Sequence, residues 1–519
     1  MPAPRSTGLA RPLLARPPLA RPLLALPPLA CASLLTLLVG CAADAPPVTP
    51  PPPTAPSPVY LFDDDGRALV LHGLNVESAA KSTADHLPTL TREEVTRIAR
   101  GWGFNFVRFL IFWDAIEPSP GVFDDAYLDA VETRLDWFAE EGVHVLLDMH
   151  QDVYAARFCC DGAPEWAIRD DGLPFTLQDL WSANYLQPAA TRAFDNFWDA
   201  EGPNADLQAH YAMTWAHVAE RFRDHPAVLG YDVINEPFPG SDFDAVEAII
   251  RRSPADGGRS RTHDETKLGP FYARMIAAIR AADPDNFIFV EPRFGAPGNG
   301  SPTYLPVLED PRAADGAAPA RLVWAPHLYS TATEANGGYS LGDRTLGAWA
   351  AQRLDEYGRY GQPLVIGEFG GAWGWTNFDV FVADALDTAD ALGAGWAWWS
   401  FDPGGPTSWS IFDRTTGEDN PLAGLLVRPY PRAIAGTPVS WSFDATTRRF
   451  ELVFRAKAGV TGATEVYVPA ARDYAGGFDV TMPSDPAGAW SQTFDADREI
   501  VSIIAAPGVA EHRVVLTAR

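Results

Sequence analysis

The sequence has very few lysines, few cysteines and much less positive than negative charge. Of its 519 residues, 40 are lysine or arginine and 67 are aspartate or glutamate, which gives a formal net charge of −27 at pH 7. A chain this acidic lacks the basic surface that binds phosphate backbones or anionic lipid head groups. The composition therefore argues against nucleic acid as a partner and favours a solvated acidic surface.

The four cysteines do not have the spacing of a metal site. Cys31 and Cys41 fall in the N-terminal segment, whereas Cys159 and Cys160 are adjacent to each other. In an oxidising compartment this adjacent pair is compatible both with a vicinal disulfide and with two free thiols. We expect no metal and no organic cofactor.

The N-terminal segment has the pattern of a targeting signal. Residues 1–40 contain arginine but no acid and end in an apolar run, which is typical of a secretory signal peptide. The run "LVGC" at 38–41 resembles a bacterial lipobox, which implies cleavage before Cys41 and attachment of lipid to its thiol. Residues 41–58 form a Pro-rich linker, extended at roughly 3 Å per residue. We expect an exported protein that is lipid-anchored to the bacterial cell surface or outer membrane, with a secreted form or a short membrane anchor as alternatives.

Eight short apolar runs alternate with amphipathic stretches between residues 59 and 428. The runs begin at Leu69, Phe104, His144, Leu229, Phe287, Leu322, Pro363 and Gly395. Near-continuous apolar runs of this kind are typical of parallel strands that are buried on both faces. Only the connection 294–321 shows no helical pattern. The alternation predicts an α/β fold, a (β/α)8 TIM barrel over 59–428.

The pattern changes after the barrel. Residues 429–519 contain short segments of alternating polar and apolar residues, such as "TPVSWSFD" and "HRVVLTAR", with turn residues between them. This pattern predicts a small C-terminal β-sandwich domain. We find no catalytic constellation in it.

Polar and aromatic side chains follow every apolar run on its C-terminal side. They are Asn75, Arg108, His150, Asp152, Asn235, Glu236, Glu291, His327, Tyr329, Glu368, Trp399 and Asp402. Barrel enzymes carry their chemistry at the C-terminal ends of the strands. We therefore expect these side chains to converge on one site.

Two glutamates in this set have the context of a glycosidase pair. Glu236 follows the fourth run in "INEPF", and Glu368 follows the seventh in "IGEFGG". Glycoside cleavage needs one carboxyl group to protonate the leaving oxygen and a second to attack the sugar or activate water. A carboxyl group beside apolar strand residues is desolvated, which raises its pKa as an acid catalyst requires.

With these motifs, residues 60–425 resemble glycoside hydrolase family 5. The resemblance implies that Glu236 is the acid/base and Glu368 the nucleophile of a retaining β-glycosidase. It also implies a set of substrate-binding residues at the family's other marked positions: Arg108, His150, Asn235, His327, Tyr329 and Trp399. In such a site Arg108 and Tyr329 would hydrogen-bond the nucleophile, Asn235 the sugar 2-hydroxyl, and Trp399 would form the floor.

Further motifs resemble the endoglycoceramidases within that family. They are "GLNVESAAKS", "DMHQDVY", "GAPEWA" and "RPYPRAIAGTPVSWSFD". The resemblance implies that Lys81 and Asp152 contact the sugar nearest the scissile bond, and that the substrate is a glycosphingolipid cleaved between glycan and ceramide. The alternatives are another family 5 activity, such as a β-glucanase or a β-glucosylceramidase, and a non-catalytic glycan-binding surface lipoprotein.

Overall fold

The computed structural model describes residues 58–244, 258–295, 300–314, 316, 318–330, 333, 337–402 and 409–519. These residues all belong to one compact unit, Ala45–Arg519. The signal peptide predicted at 1–40, the lipidation site Cys41 and the linker up to residue 57 lie outside the described residues and stay predictions. Within the described ranges, no helix is both long enough and apolar enough to span a bilayer.

Eight parallel strands form the barrel, after two short strands, β1 (Leu61–Phe62) and β2 (Ala68–Leu69). The barrel strands are β3 (His72–Val76), β4 (Phe106–Phe112), β5 (His144–His150), β6 (Val228–Asp232), β7 (Phe287–Val290), β8 (Leu322–Trp324), β9 (Val365–Gly370) and β10 (Gly395–Phe401). Their order is β8-β7-β6-β5-β4-β3-β10-β9. Parallel bridges from Trp324 to Leu364 and from Leu328 to Phe369 join the two ends of this order. Each predicted apolar run thus contains one strand of the barrel.

Helices alternate with these strands as the amphipathic stretches predicted. The helices are α1 (Arg92–Thr96, continued by a π-helical turn Arg97–Gly101), α2 (Trp113–Ile116), α3 (Asp125–Glu141), α4 (Pro188–Phe197), α5 (Ala205–Phe222), α6 (Gly258–His263, continued by a π-helical turn Asp264–Leu268), α7 (Gly269–Ala282), α8 (Thr345–Tyr360) and α9 (Phe378–Leu392). Local chemistry fixes their ends: the Asp124 side chain accepts from two backbone N–H groups at the start of α3, and Gly142 ends it with φ 67°. The connection 294–321 contains a short 3-10 helix, Pro311–Ala313.

The lower part of the barrel interior is apolar and the upper part is polar. Phe106, Leu146, Phe289, Val323, Val365 and Ala397 belong to one buried cluster. Side chains two positions apart on a strand lie on the same face. Arg108 on β4 therefore follows Phe106 into the interior, and Asp148 on β5 follows Leu146. This layering places buried charges directly above an apolar floor.

The C-terminal region forms two larger antiparallel sheets and a separate two-stranded one. Its elements are β11 (Phe412–Asp413), β12 (Glu418–Asp419), α10 (Ala423–Leu426), β13 (Tyr430–Ile434), β14 (Thr437–Asp444), β15 (Arg449–Arg455), β16 (Thr464–Tyr467), α11 (Ala470–Asp473), β17 (Phe478–Thr481), β18 (Ser491–Asp495), β19 (Ile500–Ile504) and β20 (Glu511–Ala518). One sheet has the order β1-β2-β13-β16-β19-β18 and the other β14-β15-β20-β17. The predicted fold class, a barrel followed by a small β-domain, is confirmed.

The first sheet of this region also contains the two short strands that precede the barrel. Leu69 on β2 pairs with Ala433 on β13. The domain boundaries predicted at 59, 428 and 429 stay predictions, and the structure adds that residues 61–69 extend the C-terminal sheet.

Candidate active site

A fully buried arginine organises the polar upper layer of the barrel. Arg108 donates from Nη1 to Glu368 Oε1 at 2.6 Å and from Nε to Asp232 Oδ2 at 2.8 Å. Its Nη2 lies 2.9 Å from Asp148 Oδ1 and 3.0 Å from Glu291 Oε1. Burial alone would lower the pKa of Arg108, but these carboxylates outweigh it and raise the pKa well above its usual value. The guanidinium is therefore a permanent cation that fixes the Glu368 carboxylate.

Glu368 is held at both of its oxygens. Oε1 accepts from Arg108, and Oε2 accepts from the Tyr329 hydroxyl at 2.9 Å. His327 Nδ1 lies 3.7 Å from the same Oε2. These contacts fix the orientation of the carboxyl group, as a nucleophile needs.

Glu236 lies just beyond the end of β6 in a left-handed conformation with φ 40°. A non-glycine residue in this region is strained, so the conformation needs support from its surroundings. Its backbone N–H donates to Glu291 Oε2 at 2.9 Å, and its side-chain Oε1 lies 2.9 Å from His327 Nδ1. His327 Nε2 in turn lies 3.2 Å from Glu291 Oε1. Glu291 thus holds both the backbone of Glu236 and the imidazole that contacts its carboxyl group.

Burial and nearby charges determine the pKa of Glu236 and of its neighbour His327. Burial raises the pKa of Glu236 and the nearby Glu368 carboxylate raises it further, although the His327 contact opposes both. Burial lowers the pKa of His327, but the surrounding carboxylates, led by Glu291, raise it well above its usual value. The environment of Glu236 therefore favours its protonated form.

The two carboxyl groups are close together. One carboxylate oxygen of Glu236, one of Glu368 and one ring nitrogen of His327 all lie within 4.8 Å of one another. Glycosidases in which a carboxylate attacks the sugar directly have carboxyl groups about 5–5.5 Å apart, whereas those that place a water between them need about 6.5–9.5 Å. The distance between these oxygens is below the range of the second class of glycosidase.

A second cluster of predicted residues lies beside this pair. Lys81 forms an ion pair with Asp152 and lies 4.4 Å above the Trp399 ring. The His150 ring stacks on Trp399 with a centroid distance of 5.5 Å, and its Nδ1 lies 2.7 Å from Asp148 Oδ2. Burial lowers the pKa of His150, but the Asp148 carboxylate outweighs it, so the pKa rises to about 9. The cluster combines an aromatic platform with charged hydrogen-bonding groups, which suits the face and hydroxyls of a sugar.

Asn235 connects the two clusters. Its Oδ1 accepts from Arg108 Nη2 at 2.8 Å, and its Nδ2 donates to the Gln151 carbonyl at 3.0 Å. The side-chain amide of Asn235 has two N–H groups, and the hydrogen bond to Gln151 uses one of them. All ten predicted catalytic and substrate-binding side chains therefore converge at the C-terminal end of the barrel.

Several residues at the site were not among the predicted site residues. Asp148 and Asp232 form ion pairs with the Arg108 guanidinium. Each is an isolated acid inside an otherwise apolar run, so the sequence contains a signal by which both could have been found. Asp161 has no such signal. Its backbone pairs with that of Asp152, and burial raises its pKa to about 7. It lies in the irregular segment 151–187, where side-chain positions depend on the loop conformation.

Two groups of side chains among the described residues have the composition of metal ligands. One is His150 with Asp152 and Asp161, and the other is Glu236 with His327 and Glu368. In the first group Lys81 already pairs with Asp152, and in the second Arg108 already pairs with Glu368. Each group thus has an ammonium or guanidinium where a metal ion would otherwise supply the positive charge.

Cys159 and Cys160 form a vicinal disulfide. Of the two states that the sequence left open, the structure has the oxidised one. Cys159 has φ 108°, and its sulfur lies 3.6 Å from Asn184 Nδ2. The disulfide therefore lies at the base of the loop that follows Asp152.

Comparisons with known proteins agree with the fold. A model of the cellulase (glycosyl hydrolase family 5) family matches residues 63–405, and a model of the glycoside hydrolase family 5 C-terminal domain matches residues 428–515. The chain belongs to glycoside hydrolase family 5.

Within the family, the proteins that are similar over most of this chain include endoglycoceramidases. Endoglycoceramidase I of Rhodococcus hoagii is 30% identical over 439 residues, which cover 81% of each chain. An endoglycoceramidase of Cyanea nozakii is 26% identical over 84% of this chain and 88% of its own. The structure of endo-glycoceramidase II from Rhodococcus sp. in a ganglioside GM3 complex is 35% identical, with a TM-score of 0.79, and covers 89% of this chain and 100% of its own. This protein is an endoglycoceramidase-like glycoside hydrolase.

Proposed function

We propose that the enzyme hydrolyses the bond between the glycan and ceramide of glycosphingolipids with retention of anomeric configuration. The observation that carries the reaction type is that one carboxyl oxygen of Glu236 lies within 4.8 Å of one of Glu368. The substrate class is supported by the similarity to a structure that contains ganglioside GM3. Another family 5 β-glycosidase activity is the alternative.

In the first step Glu368 attacks the anomeric carbon and the bond to the ceramide oxygen breaks. Glu236 gives its proton to that oxygen, so ceramide leaves as a neutral alcohol and a glycosyl–Glu368 ester remains. Arg108 and Tyr329 hold the attacking carboxylate at its two oxygens. Because both contacts exist before substrate binds, the nucleophile is already oriented.

In the second step Glu236, now ionised, removes a proton from water. The water attacks the anomeric carbon, the ester bond breaks, and the glycan is released with its original configuration. The contact between His327 and Glu236 offers a hydrogen-bond partner to the ionised form. The second side-chain N–H of Asn235 would donate to the sugar 2-hydroxyl, a contact that strengthens in the transition state.

Three aromatic rings near Glu368 are evidence that the leaving group of the substrate, the aglycone, is apolar. The Tyr329 ring lies 6.3 Å from the Trp409 ring, and Trp409 lies 5.9 Å from Trp375. These residues belong to loops after the sixth to eighth strands of the barrel. Residues 331–332, 334–336 and 403–408 of these loops lie outside the described residues.

Product analysis tests the proposal. The enzyme is incubated with a ganglioside, with lactosylceramide and with carboxymethylcellulose, and the products are separated by mass. Release of an intact oligosaccharide together with ceramide is the expected result. Release of single sugars from the non-reducing end, or cleavage of cellulose with no action on glycolipid, would assign the enzyme to the alternative activity.

The export route is part of the same proposal. An enzyme that acts on a lipid outside the cell would benefit from a lipid on Cys41 and an extended linker over 41–58. A protein with both would be retained at the bacterial surface, where the glycolipid substrate is accessible.

A further inference from the structure

A short segment on the active-site face of the barrel exposes five large apolar side chains. The segment, Leu173–Leu186, lies between β5 and α4 and ends in a 3-10 helix, Trp181–Leu186. The exposed side chains, with their exposed fractions, are Leu173 (38%), Leu177 (65%), Leu180 (64%), Trp181 (47%) and Leu186 (54%). Concentrations of exposed apolar surface mark binding surfaces, whereas single exposed leucines do not.

This segment is continuous with the active site. Tyr185, which is buried, has its hydroxyl 3.5 Å from Asp152 Oδ1. Its ring lies 4.8 Å from that of Phe238, two residues after Glu236. A partner that binds to the exposed side chains of the segment therefore lies close to the substrate.

The base of the segment is fixed. Asn184 donates to the sulfur of Cys159 in the vicinal disulfide at 3.6 Å, and the Phe175 ring lies 5.2 Å from the Phe158 ring. Asn184 also accepts from the Gln178 backbone N–H at 2.9 Å. These contacts hold the backbone in place while the leucines and the tryptophan point away from it.

The charge of the segment selects among possible partners. Its 14 residues include one charged side chain, Asp179, and no cation, in a chain with a net charge of −27. A surface of this kind gains nothing from anionic lipid head groups, which need lysine or arginine. Leucine and tryptophan are instead the residues that enter the boundary between head groups and acyl chains.

We propose that Leu173–Leu186 inserts into the lipid surface that presents the substrate, a membrane or micelle of zwitterionic or uncharged lipids. This inference rests on the proposed function, since a glycolipid substrate is embedded in such a surface. The glycosidic bond of the substrate lies at the boundary of the lipid. Because the segment adjoins Asp152, its insertion brings the active site to that boundary. The segment thereby contributes to activity on membrane-bound substrate and not to the chemistry.

The test compares two triple variants in the chain 45–519, which forms one compact unit and lacks the predicted lipidation site Cys41. The first carries Leu177→Ser, Leu180→Ser and Trp181→Ser. The matched control carries serine at three exposed apolar positions elsewhere, Met213, Val439 and Ile504. Three assays are run: sedimentation with phosphatidylcholine vesicles, hydrolysis of lactosylceramide in those vesicles, and hydrolysis of a soluble aryl β-lactoside.

The segment variant should bind the vesicles and cleave the embedded lipid at least about tenfold less than the control, because the side chains that it loses are those that enter the interface. Both variants should cleave the soluble lactoside at the wild-type rate, which also shows that they fold. Adding phosphatidylserine should not strengthen wild-type binding.

Equal vesicle binding and equal cleavage of the embedded lipid by the two variants would overturn the inference. A change from dimer to monomer in the segment variant, with vesicle binding unchanged, would assign the surface to a second copy of the chain and also overturn it. Failure of the wild type to cleave any glycolipid, even in detergent, would instead overturn the proposed function, and vesicle binding would then report on the segment separately.

Discussion

Glu236→Ala should separate the two steps of the proposed reaction. In the wild-type enzyme, burial raises the pKa of Glu236, so that the carboxyl group is available as an acid for the ceramide oxygen. Loss of a general acid costs about 10²- to 10⁴-fold in rate, which corresponds to about 3 to 5 kcal/mol of transition-state stabilisation. We expect a loss of this size in kcat/KM for a glycolipid.

A dinitrophenyl β-lactoside gives a different result because its leaving group departs without a proton. The variant should still form the glycosyl–Glu368 ester from this substrate, but water should attack the ester slowly because the base is absent. Azide needs no base, so it should restore kcat and give a β-lactosyl azide. Glu368→Ala is the matched variant: azide should then attack the substrate directly and give the α-azide.

The configuration of the azide product, read by NMR, decides between the roles. An α-azide from Glu236→Ala and a β-azide from Glu368→Ala would reverse the two assignments. An equal loss on glycolipid and on the dinitrophenyl substrate would remove the acid role from Glu236 altogether.

The same group determines the alkaline limb of the pH profile. An acid catalyst must be protonated, so kcat/KM for a glycolipid should fall as pH rises through the raised pKa of Glu236. The alkaline limb should be absent when Glu236→Ala acts on the dinitrophenyl substrate. A limb that persists unchanged in that variant would assign it to another group.

Three further substitutions test the site and the anchor. Tyr329→Phe removes the 2.9 Å hydrogen bond to Glu368. Because this bond is made to a charged group, kcat/KM should fall about 10- to 100-fold, while the temperature of thermal unfolding changes little. Unchanged kinetics would show that the contact is absent in solution. Glu291→Gln keeps the shape but loses a charge beside Arg108, so both kcat and Tm should fall, and a fall in Tm alone would limit Glu291 to a structural role. Cys41→Ala should abolish labelling by fatty acid in a bacterial host and release the protein from the membrane, whereas labelling that survives would exclude the lipobox.

The barrel was predictable because its signal is strong and local. A strand buried on both faces must be apolar along its whole length, so the eight runs stand out from the amphipathic helices between them. The polar residues that end the runs were predictable for a geometric reason, since all C-terminal strand ends of a barrel meet at one face. Arg108 and Tyr329, far apart in the sequence, therefore reach the same carboxylate of Glu368.

Other features depend on contacts that leave no periodic pattern. The strands β1 and β2 have two residues each, too few to show alternation, and their pairing with β13 depends on where the C-terminal region packs. The state of Cys159 and Cys160 depends on local backbone geometry that spacing does not determine. Tyr185 reaches Asp152 only through the conformation of a long irregular loop.

The number of carboxyl groups that surround Arg108 could not be predicted from the residues at the strand ends alone. One guanidinium contacts four carboxyl groups, those of Asp148, Asp232, Glu291 and Glu368. Burial raises the pKa of Asp232 well above its usual value and Glu291 raises it further, despite the opposing effect of Arg108. Removing one charged neighbour should therefore change the pKa of Asp232. Effects of single substitutions here should not add, because the arginine, its acids and the proposed nucleophile act as one unit.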